Sequence, residues 1–229
     1  MEMINLLSAF ALPHVIAGTL ALAAFWLAAL VRKGRHLHRM AGRTHLFAML
    51  AVIATAIPLT LVTYLNGHLV GAAFLAYLVI LLSQNCLVGW RAIRHKRDFA
   101  RFNNSVFRIG ALVNALAGVA IMVLGLYVGS IILVAFGAIG PLSAIDPIRE
   151  MRAGQTRAAN WWLRQHLNAM IGNGVAAHIA FTQIGLGRIL RTLDSTVIMN
   201  LAWFLPLAAG VVAGTWLSRK YLKTARAAV

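Results

Sequence analysis

WWLRQHLNAMIGNGVAAHIAF, residues 161–181, has the length of a membrane-crossing helix, yet it carries His166, Asn168, Asn173 and His178 among its apolar residues. A helix needs about 20 predominantly apolar residues to span the hydrocarbon layer. Counting this stretch as a span or leaving it out decides which side of the membrane the chain ends on. The rest of the sequence is therefore read outward from it.

The 229 residues are 61% hydrophobic and only 11% charged, with a mean hydropathy of +0.79. That balance marks an integral membrane protein rather than a soluble domain. Seven stretches have spanning length or come close, at about 5–31, 46–65, 68–90, 105–127, 130–147, 161–186 and 197–217. The fold expected is all-α, a polytopic seven-helix membrane bundle over residues 1–229, with no soluble domain left over. Met1 to Leu7 has no basic segment ahead of its apolar run, so the first stretch is expected to stay as a helix and not be cleaved. The single cysteine, Cys86, excludes an internal disulfide and reads as a small apolar filler.

Net charge is +16. In a soluble chain this would suggest a nucleic-acid partner, but here the basic residues form short blocks between apolar runs, a pattern that favours topology signals and anionic-lipid contacts over a nucleic acid. Arg32, Lys33, Arg35, Arg39 and Arg43 lie in the first connection and Arg91 to Arg108 in or beside the third. Arg149, Arg152, Arg157 and Arg164 flank the fifth, and Arg219, Lys220, Lys223 and Arg226 form the tail. Nineteen basic residues thus fall on one side and two, Arg188 and Arg191, on the other. The positive-inside rule makes the richer face cytoplasmic, with the amino terminus outside and the carboxyl terminus inside. A bacterial inner membrane is the expected location, with anionic lipids meeting the basic face. Trp26, Trp90, Trp161, Trp162 and Trp216 are expected near the cytoplasmic interface. Pro58, Pro141 and Pro206 should kink spans two, five and seven. Small residues from Gly110 to Gly118 and from Gly172 to Ala177 give spans four and six close-packing faces and a central place.

Polar side chains at membrane depth are costly, so each is a site candidate. His14 falls midway along span one, His68 at the outer mouth of span three and His45 at the cytoplasmic end of span two. His166 lies near the cytoplasmic end of span six, and His178 is about 18 Å further along. His166 and Asn173 share a helix face, from which His178 is turned by about 120°. Two histidines so placed address two depths, as axial imidazoles do in membrane haem proteins. On that reading His178 joins His68 or His14 at an outer haem b site, and His166 joins His45 at an inner one. The competing reading is that each buried imidazole is satisfied by a carbonyl or by an amide such as Gln84, Asn85, Asn114, Asn173 or Gln183. His36, His38 and His95 read as solvated loop residues. No HExxH, CxxC, phosphate loop or intramembrane carboxylate is present. Asp146, beside Pro147, reads as a structural ion-pair partner of Arg149 or of the basic start of span six.

PHVIAGTLAL at 13–22, KGRHLHRMAGR at 33–43 and the run from DPIRE through WWLRQHLNAM to AAHIAF at 146–181 resemble the DUF2306-type bacterial membrane proteins. The matching positions are His14, His38, Arg39, Gly42, Trp162, Leu163, His166, Met170, Ala180 and Phe181. The resemblance implies a polytopic inner-membrane protein and supplies no reaction. It departs at His178, where a small or hydroxyl residue is expected, and it singles out His14 and His166.

Three functions remain open from sequence. One is electron transfer through histidine-held haem b or a quinone beside it. A second is a transporter or receptor whose polar cavity is lined by Asn114, Asn173, Gln183 and the histidines. The third is a homo-oligomeric or hetero-complex subunit whose polar residues join helices.

Overall fold

The structure, a computed structural model, describes the backbone of residues 2–154, 158–189 and 195–224, and the side chains of 9–154, 158–183 and 196–222. Within these residues every regular element is helical: α1 Glu2–Leu30, α2 His36–Leu65, α3 Leu69–Arg94, α4 Phe99–Phe102, α5 Ser105–Val128, α6 Ile131–Ser143, α7 Ile145–Ala153, α8 Trp161–Ile189 and α9 Ser195–Thr224. The chain is a multi-pass membrane helical protein. Among the described residues six helical stretches are long and apolar enough to cross a membrane: Ala9–Leu30, α2, α3, α5, Ile131–Ala153 and Thr196–Leu222. Helix α8 is not among them, although its 29 residues reach about 43 Å. Its deficit is composition, because Arg164, Gln165, His166, Asn168, Asn173, His178 and Gln183 dilute its apolar content.

Short turns make neighbours antiparallel. Gly67, with φ +81°, turns α2 into α3, and Gly129, with φ +69°, closes α5. Both angles are left-handed and suit a residue without a Cβ. Helix α3 packs on α2, α5 and α8, and α8 in turn packs on α1, α3 and α9. These two are therefore the central elements.

Span four does not share that position. Helix α5 packs on α3 and α6, while Leu112, Leu116, Val123 and Leu126 remain exposed along its other side. Its small-residue face has a narrower use. A Cβ on Gly118 would stand 2.5 Å from the Gly137 carbonyl oxygen, and one on Gly137 would stand 2.7 Å from that of Gly118. The α5–α6 seam is thus a backbone-to-backbone contact that small residues permit. Against this seam lies the largest apolar cluster, in which Phe74, Tyr77 and Leu81 of α3 meet Ile121, Ile132, Leu133, Phe136 and Ile179. The Tyr77 hydroxyl donates to the Phe136 carbonyl at 2.9 Å and so keeps its polar tip satisfied there.

Two boundaries differ from the sequence expectation. Helix α2 starts at His36 rather than near 46, so its basic first turns are helical and His45 sits well inside the helix rather than at its end. Span five breaks at Ala144 into α6 and α7. Pro141 lies just ahead, and the Ser143 hydroxyl bonds back to the Gly140 carbonyl at 2.6 Å. Trp161 is buried, its ring meeting those of Phe99 and Phe102 edge-on and tilted beside Phe107. The expected positions of Arg157, Arg188, Arg191, Asp194, Lys223 and Arg226 lie outside the described side chains.

The seam gives a differential test. Gly137→Ala should cost about 1–3 kcal/mol by overpacking, whereas Gly18→Ala, with nothing within 4 Å of the added carbon, should cost nothing measurable. Chemical denaturation in detergent compares the two, and equal losses would refute the close seam.

Candidate functional site

Three histidines organise around the contact of α1 with α2. The His38 Nδ1–H donates to the Ala28 carbonyl at 3.0 Å, and the His45 Nδ1–H donates to the Ala21 carbonyl at 2.9 Å. The donors are seven residues apart on α2 and the acceptors seven apart, in the opposite direction, on α1. Seven residues is two helical turns, which returns each group to the same face. One further step reaches His14, now on α1, which lies beside the Val52 carbonyl and places its Nδ1 2.9 Å from Thr55 Oγ1. Three histidines therefore join two antiparallel helices in one register.

These contacts also fix tautomers. Carbonyls only accept, so His38 and His45 carry the proton on Nδ1. Thr55 already donates its single hydroxyl proton within its own helix, 2.8 Å from the Ala51 carbonyl, so His14 Nδ1 must be the donor to it. His166 donates Nδ1–H to the Gly89 carbonyl at 3.2 Å, linking α8 to α3. His178 is held at both nitrogens: Nδ1 donates to the Gly174 carbonyl at 2.6 Å, and Nε2 accepts from Trp26 Nε1 at 3.0 Å. Phe25 stands between two of these imidazoles, its ring centroid 5.7 Å from both His45 and His178. Gly174 is where α8 admits that ring, since a Cβ there would overlap Phe25.

Among the described residues five buried side-chain polar atoms have no hydrogen-bond partner, and besides Asn103 Oδ1, Asn114 Oδ1 and Gln165 Nε2 they include two at this contact. His45 is 1% exposed and Asn173 0% exposed, and His45 Nε2 and Asn173 Oδ1 have no hydrogen-bond partner. The Asn173 amide nitrogen donates to Cys86 Sγ at 3.5 Å. Cys86 packs in turn with Ala21, Met49 and Ile53, one helical turn from His45 along α2. The two orphaned acceptors thus belong to the layer where α1, α2, α3 and α8 meet, which is where the sequence placed a polar interior.

The other candidates are dispersed. His68 is exposed at the start of α3 and makes no side-chain cap. Gln183 is exposed on α8. Asn114 is fully buried on α5 and donates to Ser143 Oγ at 3.0 Å, so it stitches the α5–α6 seam and does not share the histidine layer. His38, expected in a solvated loop, is half-buried and joins α2 to α1. Asp146 is a structural partner as expected: it accepts from Asn168 Nδ2 at 3.1 Å and lies 3.9 Å from both Arg149 and Arg164. Sequence reasoning passed over Thr55, Trp26 and Ser143 as partners. The seven-residue step between His38 and His45 was the available signal for the α1–α2 register.

This arrangement gives haem b little support. The lone pair of His178 is taken by Trp26, its proposed outer partner His68 is exposed, and His14 turns to Thr55. Among the described residues no group of three or more His, Cys, Asp or Glu side chains is placed to hold a metal ion. Two concavities lie elsewhere, one at the α3–α4 turn and one of about 470 Å³ between α3 and α5, lined by residues such as Ser83, Gln84 and Gly110. In comparisons with known proteins, no family model, no curated protein and no solved structure matches the chain.

A double-mutant cycle tests the joints. His14→Ala and Thr55→Ala should couple by about 0.6 kcal/mol, the average measured for hydrogen bonds between membrane helices, with about 1.7 kcal/mol as the ceiling. His68→Leu should change stability by less than about 0.5 kcal/mol. A coupling indistinguishable from zero would dissolve the proposed register.

Proposed function

We propose that the chain is a seven-span protein of the bacterial inner membrane, amino terminus outside, that works as a non-catalytic subunit or assembly partner of a membrane complex. The DUF2306-type resemblance belongs to the same proposal. One observation carries the reading: the deep polar side chains are spent on joints between helices. His14 meets Thr55, His45 meets Ala21, His166 meets Gly89, His178 meets Trp26 and Asn114 meets Ser143. Thr182 of α8 likewise donates to the Ala202 carbonyl of α9 at 2.9 Å. A catalytic or transport site keeps its polar groups facing a cavity; here they face neighbouring helices. Counting α8 as the seventh span is supported by its length and its packing on α1, α3 and α9, since His166, Asn173, His178 and Thr182 meet neighbouring helices rather than lipid. Seven spans also keep the basic connections on one face.

A second reading is favoured by the orphaned pair. His45 Nε2 and Asn173 Oδ1 both present lone pairs, so the layer suits a small hydrogen-bond donor such as water or the hydroxyl of a quinol. It does not suit a quinone carbonyl, which also only accepts.

Purification in mild detergent separates these. The subunit reading expects a colourless protein without a Soret band that retains a stoichiometric membrane partner. A Soret band lost in His166→Ala would replace it with the haem reading. Stabilisation by a quinol analogue, abolished by His45→Leu, would replace it with the ligand reading.

A further inference from the structure

At the end of α3 the chain turns through His95, Lys96, Arg97 and Asp98 into α4. Arg94, Lys96, Arg97 and Arg101, with His95 and Asp98, line a concavity of about 380 Å³. Asp98 is its one carboxylate and is already engaged twice. Its Oδ2 lies 3.2 Å from Arg101 Nε, and its Oδ1 accepts the Arg101 backbone N–H at 3.0 Å. Among the described residues no carboxylate pairs with Arg94, Lys96 or Arg97. Four cations against one carboxylate leave the concavity with a formal excess of three positive charges.

The turn is built on a fixed base. Arg91 donates through Nε and Nη2 to the Phe102 carbonyl, at 3.2 and 3.0 Å, and through Nη2 also to the Arg101 carbonyl. Phe102 is fully buried against Phe107 and Trp161. Lys96 Nζ lies 5.8 Å from the centre of the Trp162 ring. The cations are thus carried by a clamped turn. The imidazole of His95 is held below the ordinary histidine range, by partial burial first and then by the field of Arg91, Arg94 and Arg101, against a smaller opposing effect of Asp98.

We propose that the α3–α4 turn is a binding site for a phosphomonoester dianion, presented by a lipid headgroup or by a free phosphate compound. Guanidinium groups match phosphate oxygens in planar, paired hydrogen bonds. A monoester carries close to two negative charges at neutral pH where a phosphodiester carries one, so an excess of three positive charges in one concavity discriminates in its favour.

The test uses the full chain in phosphatidylcholine nanodiscs containing phosphatidic acid or phosphatidylglycerol as a minor component, and inorganic phosphate added to undoped discs. Native mass spectrometry counts retained lipid, and NMR of histidine-labelled protein, assigned with His95→Gln, follows the His95 titration. Phosphatidic acid should be retained over phosphatidylglycerol, and its arrival should raise the His95 titration point, because a nearby dianion favours the imidazolium. Arg94→Gln with Arg97→Gln should weaken retention about 25-fold, at roughly fivefold per cation. Arg32→Gln with Arg35→Gln, which removes equal charge elsewhere, should not. A His95 response to phosphate in undoped discs identifies a free phosphate compound as the source; a response to phosphatidic acid alone identifies the lipid. Equal retention of both lipids, or equal loss from the two double variants, overturns the site, as does a His95 titration that neither phosphate source moves.

Discussion

A backbone carbonyl of α1 and an imidazole N–H of α2, facing each other with no water between them, set the terms for the rest of the bundle. In hydrocarbon a polar group that lacks a protein partner costs several kcal/mol. The pairs His38–Ala28 and His45–Ala21 therefore fix register as well as adding affinity. Sliding α2 along α1 by one residue would strand both imidazoles at once. Once that seam is set, Phe25 projects from α1 at a fixed height, and α8 must offer Gly174 there to admit its ring. His178 and Asn173, on either side of that glycine, then fall against Trp26 and Cys86.

The polarity of α8 follows from the same constraint. Arg164, Gln165, His166, Asn168, Asn173, His178 and Gln183 make it too polar for a lipid-facing helix, yet it packs on α1, α3 and α9, and several of its polar side chains find partners there. His166 reaches α3, His178 reaches α1 and Thr182 reaches α9. At the end of α8 that carries Trp161, Asp146 adds a further tie, drawing Asn168 and Arg164 toward α7. Helix α8 thus acts as the element to which α1, α3 and α9 are fastened. Helices α5 and α6 form a separate pair, which meets α3 through apolar packing and the Tyr77 hydroxyl.

Much of the fold was legible before any coordinates. Apolar stretches of spanning length located the long helices, because burying a backbone in lipid leaves a chain few alternatives to a helix. The clustering of glycine and alanine marked where α5 would be approached closely, although not that α6 would meet Gly118 and the Gln84 side chain of α3 would meet Gly110. The candidate site was less legible. Deep histidines could be counted and placed on helix faces, but an imidazole that ligates iron and one that binds a carbonyl look the same in sequence. His38 was misjudged because a basic neighbourhood resembles a loop, and helix α2 in fact begins two residues before it.

Composition, hydrophobic run length and charge blocks are local quantities, and they sufficed for a helical membrane protein with a polar, central-looking penultimate helix. The partner of each buried polar atom is not a local quantity. It depends on which carbonyl another helix happens to present at contact distance, and that is set by crossing positions and rotamers that no single segment encodes. The tertiary structure therefore decided that His14, His45, His166 and His178 spend Nδ1 on protein neighbours. It also left two lone pairs, on His45 and Asn173, without a partner at the meeting of four helices.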